Sequence, residues 1–95
     1  MVAYIIAEAD ITDPAKYEGY KQLTPRAIAA HGGRFVVRGG RTETLEGDWH
    51  PKRVVVIEFP SYEHAKTFYD SPEYLAARKA REGAATLDLI VVDGV

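Results

Sequence analysis

Two stretches in the middle of the chain constrain its fold more than any other feature. Residues 32–40 and 52–60 are rich in β-branched and aromatic side chains and are bounded by Gly or Pro, a composition typical of β-strands. A polar segment containing Glu46-Gly47-Asp48 lies between them, so the two strands are predicted to fold back on each other as an antiparallel pair. A tip near Glu46 predicts these cross-strand pairs: Arg34 with Glu58, Val36 with Val56, and Arg38 with Val54.

The two faces of this strand pair differ in polarity. One face is apolar and consists of Phe35, Val37, Val55, Ile57 and Phe59. The other face carries the charged residues Arg34, Arg38 and Glu58. Gly39-Gly40 is predicted to mark a bulge or bend, from which a polar arm, residues 41–52, leaves the sheet.

A helix is predicted to follow the first strand, which covers residues 2–9. It begins with Asp13 as its N-cap and Pro14 at its first position, where the missing N–H costs nothing. It ends at His31, before a left-handed cap at Gly32-Gly33. Pro25 lies inside this helix and is predicted to kink it or split it.

The C-terminal third of the chain predicts a broken helix and a last strand. Ser61 is the N-cap of the first helical part, and Ser71 followed by Pro72 repeats the signal for a second part that extends to about Gly83. Residues 86–92 alternate between apolar and varied side chains and close the chain as a strand.

The predicted order of elements is strand, helix, strand, strand, helix, strand. This is the ferredoxin-like βαββαβ pattern of an α+β protein, in which a four-stranded antiparallel sheet carries its helices on one face and residues 1–95 form one domain. The other face mixes charged residues with large apolar ones: Tyr4, Ile6, Val36, Val54, Val56, Ile90 and Val92. Because such a face is usually covered, we expect a homodimer whose two sheets form a barrel around a partly polar cavity.

Several short motifs occur in order along nearly the whole chain. They are His31-Gly32-Gly33-Arg34, Arg38-Gly39-Gly40, residues 45–49, residues 51–61, and Ser71-Pro72-Glu73-Tyr74 followed by Arg78. In this order and spacing they resemble the domain of unknown function 1330 family, within the dimeric α/β-barrel superfamily. The resemblance implies a small homodimeric barrel protein, and the superfamily includes monooxygenases, isomerases, haem proteins and ligand-sensing domains. The Asn-Trp-His set of its haem-degrading members does not carry over, because this chain has no asparagine.

A charged group on the mixed face of the sheet is the strongest candidate site. Glu8 and Glu58 are predicted to lie at the same ends of two parallel neighbouring strands, with Asp88 beside Glu8 and Arg34 across from Glu58. Crowded acids in a half-enclosed cavity are typical of general acids and bases. Glu58 or Glu8 is therefore the predicted catalytic acid or base, and Arg34 is predicted to orient an anionic group. The alternative is that Arg34 and Glu58 form a salt bridge that sets the strand register or the dimer.

Five residues are predicted to contact the ligand: Arg38, Asp88, Tyr20, Trp49 and Tyr74. Trp49 lies on the arm, where it either caps the cavity or packs against the partner subunit. The three histidines show no metal-ligand spacing, so we expect no metal site. Haem binding through one of them is an alternative: His31, His50 or His64.

The composition argues against several classes of function. The net charge of −2, without a basic run, argues against nucleic acid as a partner. No apolar run approaches the ~18 residues of a membrane span, and the absence of cysteine fits the cytoplasm. The leading hypothesis is a cytoplasmic homodimeric enzyme without a cofactor. It would bind a small organic molecule between sheet and helices and perform proton transfer, isomerisation or oxygenation. The alternatives are a non-catalytic ligand-binding or assembly protein and a haem-binding protein.

Overall fold

The computed structural model describes residues 1–95, which form a four-stranded antiparallel sheet with helices packed on one face. The strands are β1 (Ala3–Ile11), β2 (Arg34–Arg38), β3 (Val54–Phe59) and β4 (Ala85–Asp93), in the order β2-β3-β1-β4 across the sheet. The helices are α1 (Pro14–Ala30), α2 (Tyr62–Tyr69) and α3 (Pro72–Ala80). This architecture confirms the predicted ferredoxin-like α+β fold. No helix is both long enough and apolar enough to cross a membrane.

The ends of the helices follow the predicted capping signals. The side chain of Asp13 accepts a hydrogen bond from the backbone N–H of Lys16, and Pro14 occupies the first helical position of α1. Ser61 and Ser71 accept equivalent bonds at the starts of α2 and α3. After α1, Gly32 adopts a φ of +75°, which favours glycine because a Cβ opposes it.

Pro25 does not split α1, which is continuous from Pro14 to Ala30. Proline has no N–H to donate to the carbonyl four residues earlier, which belongs to Lys21. The Nη2 group of Arg38 donates to that carbonyl instead, at 3.2 Å. The hydroxyl of Thr24 also donates to the carbonyl of Tyr20, at 2.5 Å. A side chain from β2 therefore supplies the hydrogen bond that the Lys21 carbonyl does not receive from Pro25.

The core lies between the sheet and the helices. Every second residue of β1 is buried there, and the small Ala7 and Ala9 alternate with outward-facing Ile6 and Glu8. The largest fully buried side chains are Tyr74, Phe59, Phe68 and Ile28. The rings of Phe59 and Phe68 lie with their centroids 5.0 Å apart, in the range of favourable aromatic contacts.

The pairing of β2 with β3 contains a β-bulge at Val36. The observed Cα pairs are Arg34 with Glu58, Phe35 with Ile57, Val37 with Val56, and Arg38 with Val55. The predicted pairing of Arg34 with Glu58 is therefore confirmed. The predicted pairs of Val36 with Val56 and of Arg38 with Val54 are wrong, because Val36 is an extra residue that shifts the register.

The bulge also changes which face two side chains occupy. Successive side chains of a strand alternate between faces, so one extra residue reverses every position after it. Val37 was expected on the helix side but shares the open face with Val56. Arg38 was expected on the open face but lies on the helix side, where its guanidinium stacks 4.3 Å from the centre of the Phe35 ring.

Candidate functional site

Two separate charged groups lie on the open face of the sheet. In the first, the Nε of Arg34 donates to a carboxylate oxygen of Glu58 at 2.8 Å. The Arg34 side chain is 69% exposed and that of Glu58 is 22% exposed, so solvent screens this pair. Its geometry matches the salt bridge predicted to set the strand register.

The second charged group is built around Glu8. The indole Nε1 of Trp49 donates to a carboxylate oxygen of Glu8 at 3.2 Å, and Asp88 lies opposite Glu8 on β4. Next to it, the ammonium of Lys52 lies 3.3 Å from a carboxylate oxygen of Asp10. The arm therefore returns to the open face, and Trp49 stays 62% exposed there.

The prediction that these charges meet at one end of the sheet is wrong. Strands β1 and β3 are antiparallel, and Glu58 pairs with Tyr4 whereas Glu8 pairs with Val54. Four residues of β1 separate the two positions, which is about 13 Å at about 3.3 Å per residue. The structure thus brings Arg34 to Glu58, and Trp49 and Asp88 to Glu8, but it keeps the two groups apart.

A pair of tyrosine hydroxyls lies on the opposite side of the sheet, among the helices. The hydroxyl oxygens of Tyr20 in α1 and Tyr74 in α3 are 2.6 Å apart, and both residues are buried. Their rings meet edge to face, with centroids 6.1 Å apart. The structure therefore brings together two of the residues predicted to bind the ligand. They lie between the sheet and the helices, where the ligand was predicted to bind.

One hydroxyl hydrogen of the tyrosine pair has no acceptor in the protein. One hydroxyl donates to the other, and the second hydroxyl then keeps an O–H for which the protein supplies no acceptor. Burial, followed by the charge and hydrogen bond of Tyr74, raises the pKa of Tyr20. The pair consequently stays neutral and offers a hydrogen-bond donor.

One space adjoins this pair, and a second space lies beyond it. A cavity of about 30 Å³, the share of one water molecule, is lined by both tyrosines and by Ala7 and Ala9, whose small side chains leave it open. A larger groove of about 460 Å³ lies between α2 and β4 and has mainly apolar walls. Leu87 and Leu89 line both spaces and so form the partition between them.

Three arginines surround the tyrosines on the helix side, where the sequence predicted only apolar residues. Arg38 and Arg53 line the cavity, and the guanidinium of Arg81 lies 5.2 Å from the centre of the Tyr20 ring. Burial raises the pKa of Tyr17 in the same cluster, and the positive charges of Arg53, Arg81 and Arg38 oppose that rise. The polar wall of the site is therefore cationic.

The histidines lie apart from this cluster and make local contacts. His64 bonds the cap residue Ser61 through its Nδ1 at 2.6 Å, and the Nε2 of His31 lies 3.8 Å from Glu73. The Nδ1 of His50 meets the hydroxyl of Thr44 within the arm at 2.9 Å. No group of three or more His, Cys, Asp or Glu residues is placed to hold a metal ion.

A comparison with protein families now identifies the chain. A family model described as "Domain of unknown function (DUF1330)" matches residues 2–95. The chain belongs to the DUF1330 family. This confirms the resemblance that the sequence motifs indicated. No curated protein matches the DUF1330 chain.

Several solved structures share the fold of the DUF1330 chain. A protein of unknown function from Rhodopseudomonas palustris is 22% identical with a TM-score of 0.74, and the match covers 99% of this chain and 82% of that one. SnoaB, a cofactor-independent oxygenase from Streptomyces nogalater, is 15% identical with a TM-score of 0.65, covering 99% and 93%. A dimeric protein of unknown function with a ferredoxin-like fold from Bacteroides fragilis is 14% identical with a TM-score of 0.61, covering 98% and 96%. At these identities the likeness shows the fold alone.

Arg53 and Arg81 belong to the site but were not predicted from the sequence. A signal for Arg53 was available, because the alternation that places Val55, Ile57 and Phe59 toward the helices also places Arg53 there. Arg81 follows the last turn of α3, and only the tertiary packing of α3 on α1 brings it to Tyr20.

Proposed function

We propose that this protein is a homodimeric enzyme of the cytoplasm that acts, without a cofactor, on a small organic molecule bound between the sheet and the helices. The observation that carries the proposal is the buried Tyr20 and Tyr74 hydroxyl pair, whose spare donor adjoins a cavity that two leucines separate from a mainly apolar groove. Ligand sites are typically largely apolar clefts of about 300–1,000 Å³ with a few convergent polar groups. The groove has this size and the tyrosines supply such groups.

The substrate would lie with its apolar body in the groove and its reacting oxygen toward the tyrosines. Rotation of the Leu87 and Leu89 side chains joins the groove to the cavity, since these two residues are the partition. Leu87 and Leu89 are partly buried against the core, so these rotations are slower than the picosecond-to-nanosecond rotations of exposed side chains.

The spare hydroxyl proton suits reactions in which negative charge develops on a substrate oxygen. In such a step a C–H bond next to a carbonyl breaks, the proton passes to water, and the electron pair moves into an enolate. A tyrosine O–H in a buried site would stabilise that enolate oxygen by donating a hydrogen bond. Proton transfer, isomerisation and oxygenation of aromatic or carbonyl compounds share this step. The name of SnoaB, a cofactor-independent oxygenase on the same fold, supports the proposal by analogy.

The homodimer is supported by the apolar character of the open face. Ile90 is 60% exposed there, and Val37 and Val92 are each 39% exposed, on a sheet that carries no helix on that side. A protein of the same fold from Bacteroides fragilis is described as dimeric. Ile90→Lys is expected to convert dimers to monomers in native mass spectrometry, whereas Leu75→Lys, at an exposed site on α3, is expected to leave them intact. Monomeric wild-type protein would contradict this part of the proposal.

Deuterium uptake by a panel of aryl ketones tests the enzymatic part. We expect the wild-type protein in D2O to accelerate exchange of the hydrogens next to the carbonyl of at least one ketone. The double variant Tyr20→Phe with Tyr74→Phe removes both possible donors and should abolish the acceleration. Tyr62→Phe, which changes an exposed tyrosine of α2, should retain it. Ketones that shift the NMR signals of the Leu87 and Leu89 methyl groups without exchanging would favour the non-catalytic binding protein.

A further inference from the structure

We propose that the ligand of this site is a small organic carboxylate, whose anionic group is held by Arg53 together with Arg38 and Arg81. This inference rests on the proposed function, because it concerns the same cavity. It adds the chemical class of the ligand and names the residues that recognise it.

The three arginines converge from different parts of the chain. Arg38 is the last residue of β2, Arg53 immediately precedes β3, and Arg81 is the C-cap of α3. The chain as a whole carries a net charge of −2, so this local concentration of positive charge is not a by-product of a basic surface. Like charges brought together repel each other, and an anion bound among them relieves that repulsion.

None of the three has a carboxylate within salt-bridge distance. Four ion pairs occur in the protein, and the arginine among them is Arg34 on the opposite face. Arg38 uses one donor on the carbonyl of Lys21. The remaining donors of the cluster are available to a ligand, because a guanidinium offers five N–H groups and no acceptor.

Two buried donors in the cluster are unsatisfied. The protein has three buried side-chain nitrogens without a hydrogen-bond partner, and two of them are the Nε atoms of Arg53 and Arg81. Buried polar groups in folded proteins are nearly always hydrogen-bonded, so the unsatisfied Nε of Arg53 at the cavity, with that of Arg81 beside the Tyr20 ring, indicates that an acceptor belongs there. A carboxylate suits them, since its two oxygens match the planar fork of a guanidinium.

Gly39 holds Arg53 in place. A Cβ at position 39 would lie 2.6 Å from the Cζ atom of Arg53, so the guanidinium packs directly on a bare backbone. The φ of Gly39 is +71°, a conformation that side chains oppose. A side chain fixed in this way loses little conformational entropy when it binds a ligand.

The size of the cavity favours a carboxylate over a phosphate. A space of about 30 Å³ accepts one group of about the size of a water molecule. A carboxylate has two oxygens in one plane, so it needs less widening of this space than a tetrahedral phosphate with four oxygens does. The body of the ligand then extends past Leu89 into the groove.

Binding of benzoate, benzyl alcohol and inorganic phosphate tests the inference by NMR. We expect benzoate to shift the Nε–H signals of Arg53 and Arg81 and the methyl signals of Leu87 and Leu89. Benzyl alcohol, which has the same ring without the charge, should bind with an affinity at least about tenfold lower, because it loses a charge-assisted hydrogen bond. Arg53→Gln and Arg81→Gln should each reduce benzoate affinity by about tenfold. Arg26→Gln, at an exposed position of α1, should leave the affinity unchanged.

The possible failures are distinguishable. Equal affinity for benzoate and benzyl alcohol, or phosphate binding as strong as benzoate binding at the same arginine signals, would overturn the carboxylate assignment. The proposed site would stand in both cases if the leucine methyl signals still move. If no probe moves those methyl signals, the proposed function falls with the inference. Arg81→Gln provides an independent result should Arg53→Gln fail to fold.

Discussion

Removal of the two buried hydroxyls, one at a time and together, tests the geometry at the centre of the site. Tyr20→Phe and Tyr74→Phe each keep the aromatic ring, and therefore its packing, and each deletes one partner of the 2.6 Å hydrogen bond. Tyr20 is 8% exposed and Tyr74 is 1% exposed, so the hydroxyl that remains in each single variant is buried. The double variant removes both hydroxyls and leaves no unsatisfied group.

The single and double variants should differ in how much free energy of unfolding they lose. Each single variant should lower the free energy of unfolding by about 1–3 kcal/mol, because the remaining hydroxyl is buried without a partner. The double variant should lose only about 0–1 kcal/mol, since replacing both partners by apolar groups of the same shape is nearly neutral. The single losses then sum to about 2–6 kcal/mol against about 0–1 kcal/mol for the double variant, so the coupling energy is at least about 1 kcal/mol, as found for residues in contact.

Urea unfolding followed by circular dichroism measures these differences. All variants must be compared at one protein concentration, because association of subunits adds to the apparent stability. Tyr62→Phe, at an exposed position, serves as the control and should change stability by less than about 0.5 kcal/mol. If the losses of the single variants simply add in the double variant, the two hydroxyls do not bond each other and the reasoning about the site is refuted.

Three further predictions concern packing, pH and the open face. Gly33→Ala should destabilise the protein by about 1–3 kcal/mol, because the new Cβ would lie 2.5 Å from the Phe59 ring, while Gly40→Ala meets no atom within 4 Å and should be neutral in the same unfolding assay. Burial raises the pKa of Tyr20 above its ordinary 10.0, so its contribution to stability should be complete below about pH 10. Above that pH the free energy of unfolding should fall by about 1.4 kcal/mol per pH unit, because only the unfolded chain loses this proton. Tyr20→Phe should reduce the slope, and an unchanged slope would contradict the prediction. Glu58→Gln should reduce ligand binding or turnover with the dimer intact if Glu58 is an acid or base, whereas native mass spectra with weakened dimers would assign it to assembly.

The elements of the fold were predictable because local chemistry determines them. Asp13, Ser61 and Ser71 each precede a proline or an acidic first turn, and these caps start helices whatever lies around them. The pairing of Arg34 with Glu58 also followed from the length of the arm and the alternation of the strands. The antiparallel arrangement of β1 and β3 also follows from the order of elements, so the prediction that they are parallel neighbours was avoidable.

The site was less predictable because it depends on two non-local features. The bulge at Val36 has no signature in the sequence, since Phe35-Val36-Val37 reads as ordinary strand, yet it carries Arg38 from the open face to the cavity. The contact of Tyr20 with Tyr74 requires α3 to pack on α1, and helical spacing predicts only that each tyrosine is buried.

The proline inside α1 has a consequence beyond the shape of the helix. An ordinary residue at position 25 would donate its own amide to the carbonyl of Lys21, and Arg38 would then compete with the backbone for that acceptor. Because Pro25 cannot donate, the acceptor is reserved for the arginine, which reaches it across from the end of β2. Pro25 thus determines where a charged side chain of another element binds. The N–H that it lacks leaves one carbonyl of α1 free, and that carbonyl fixes the position of the Arg38 guanidinium from β2.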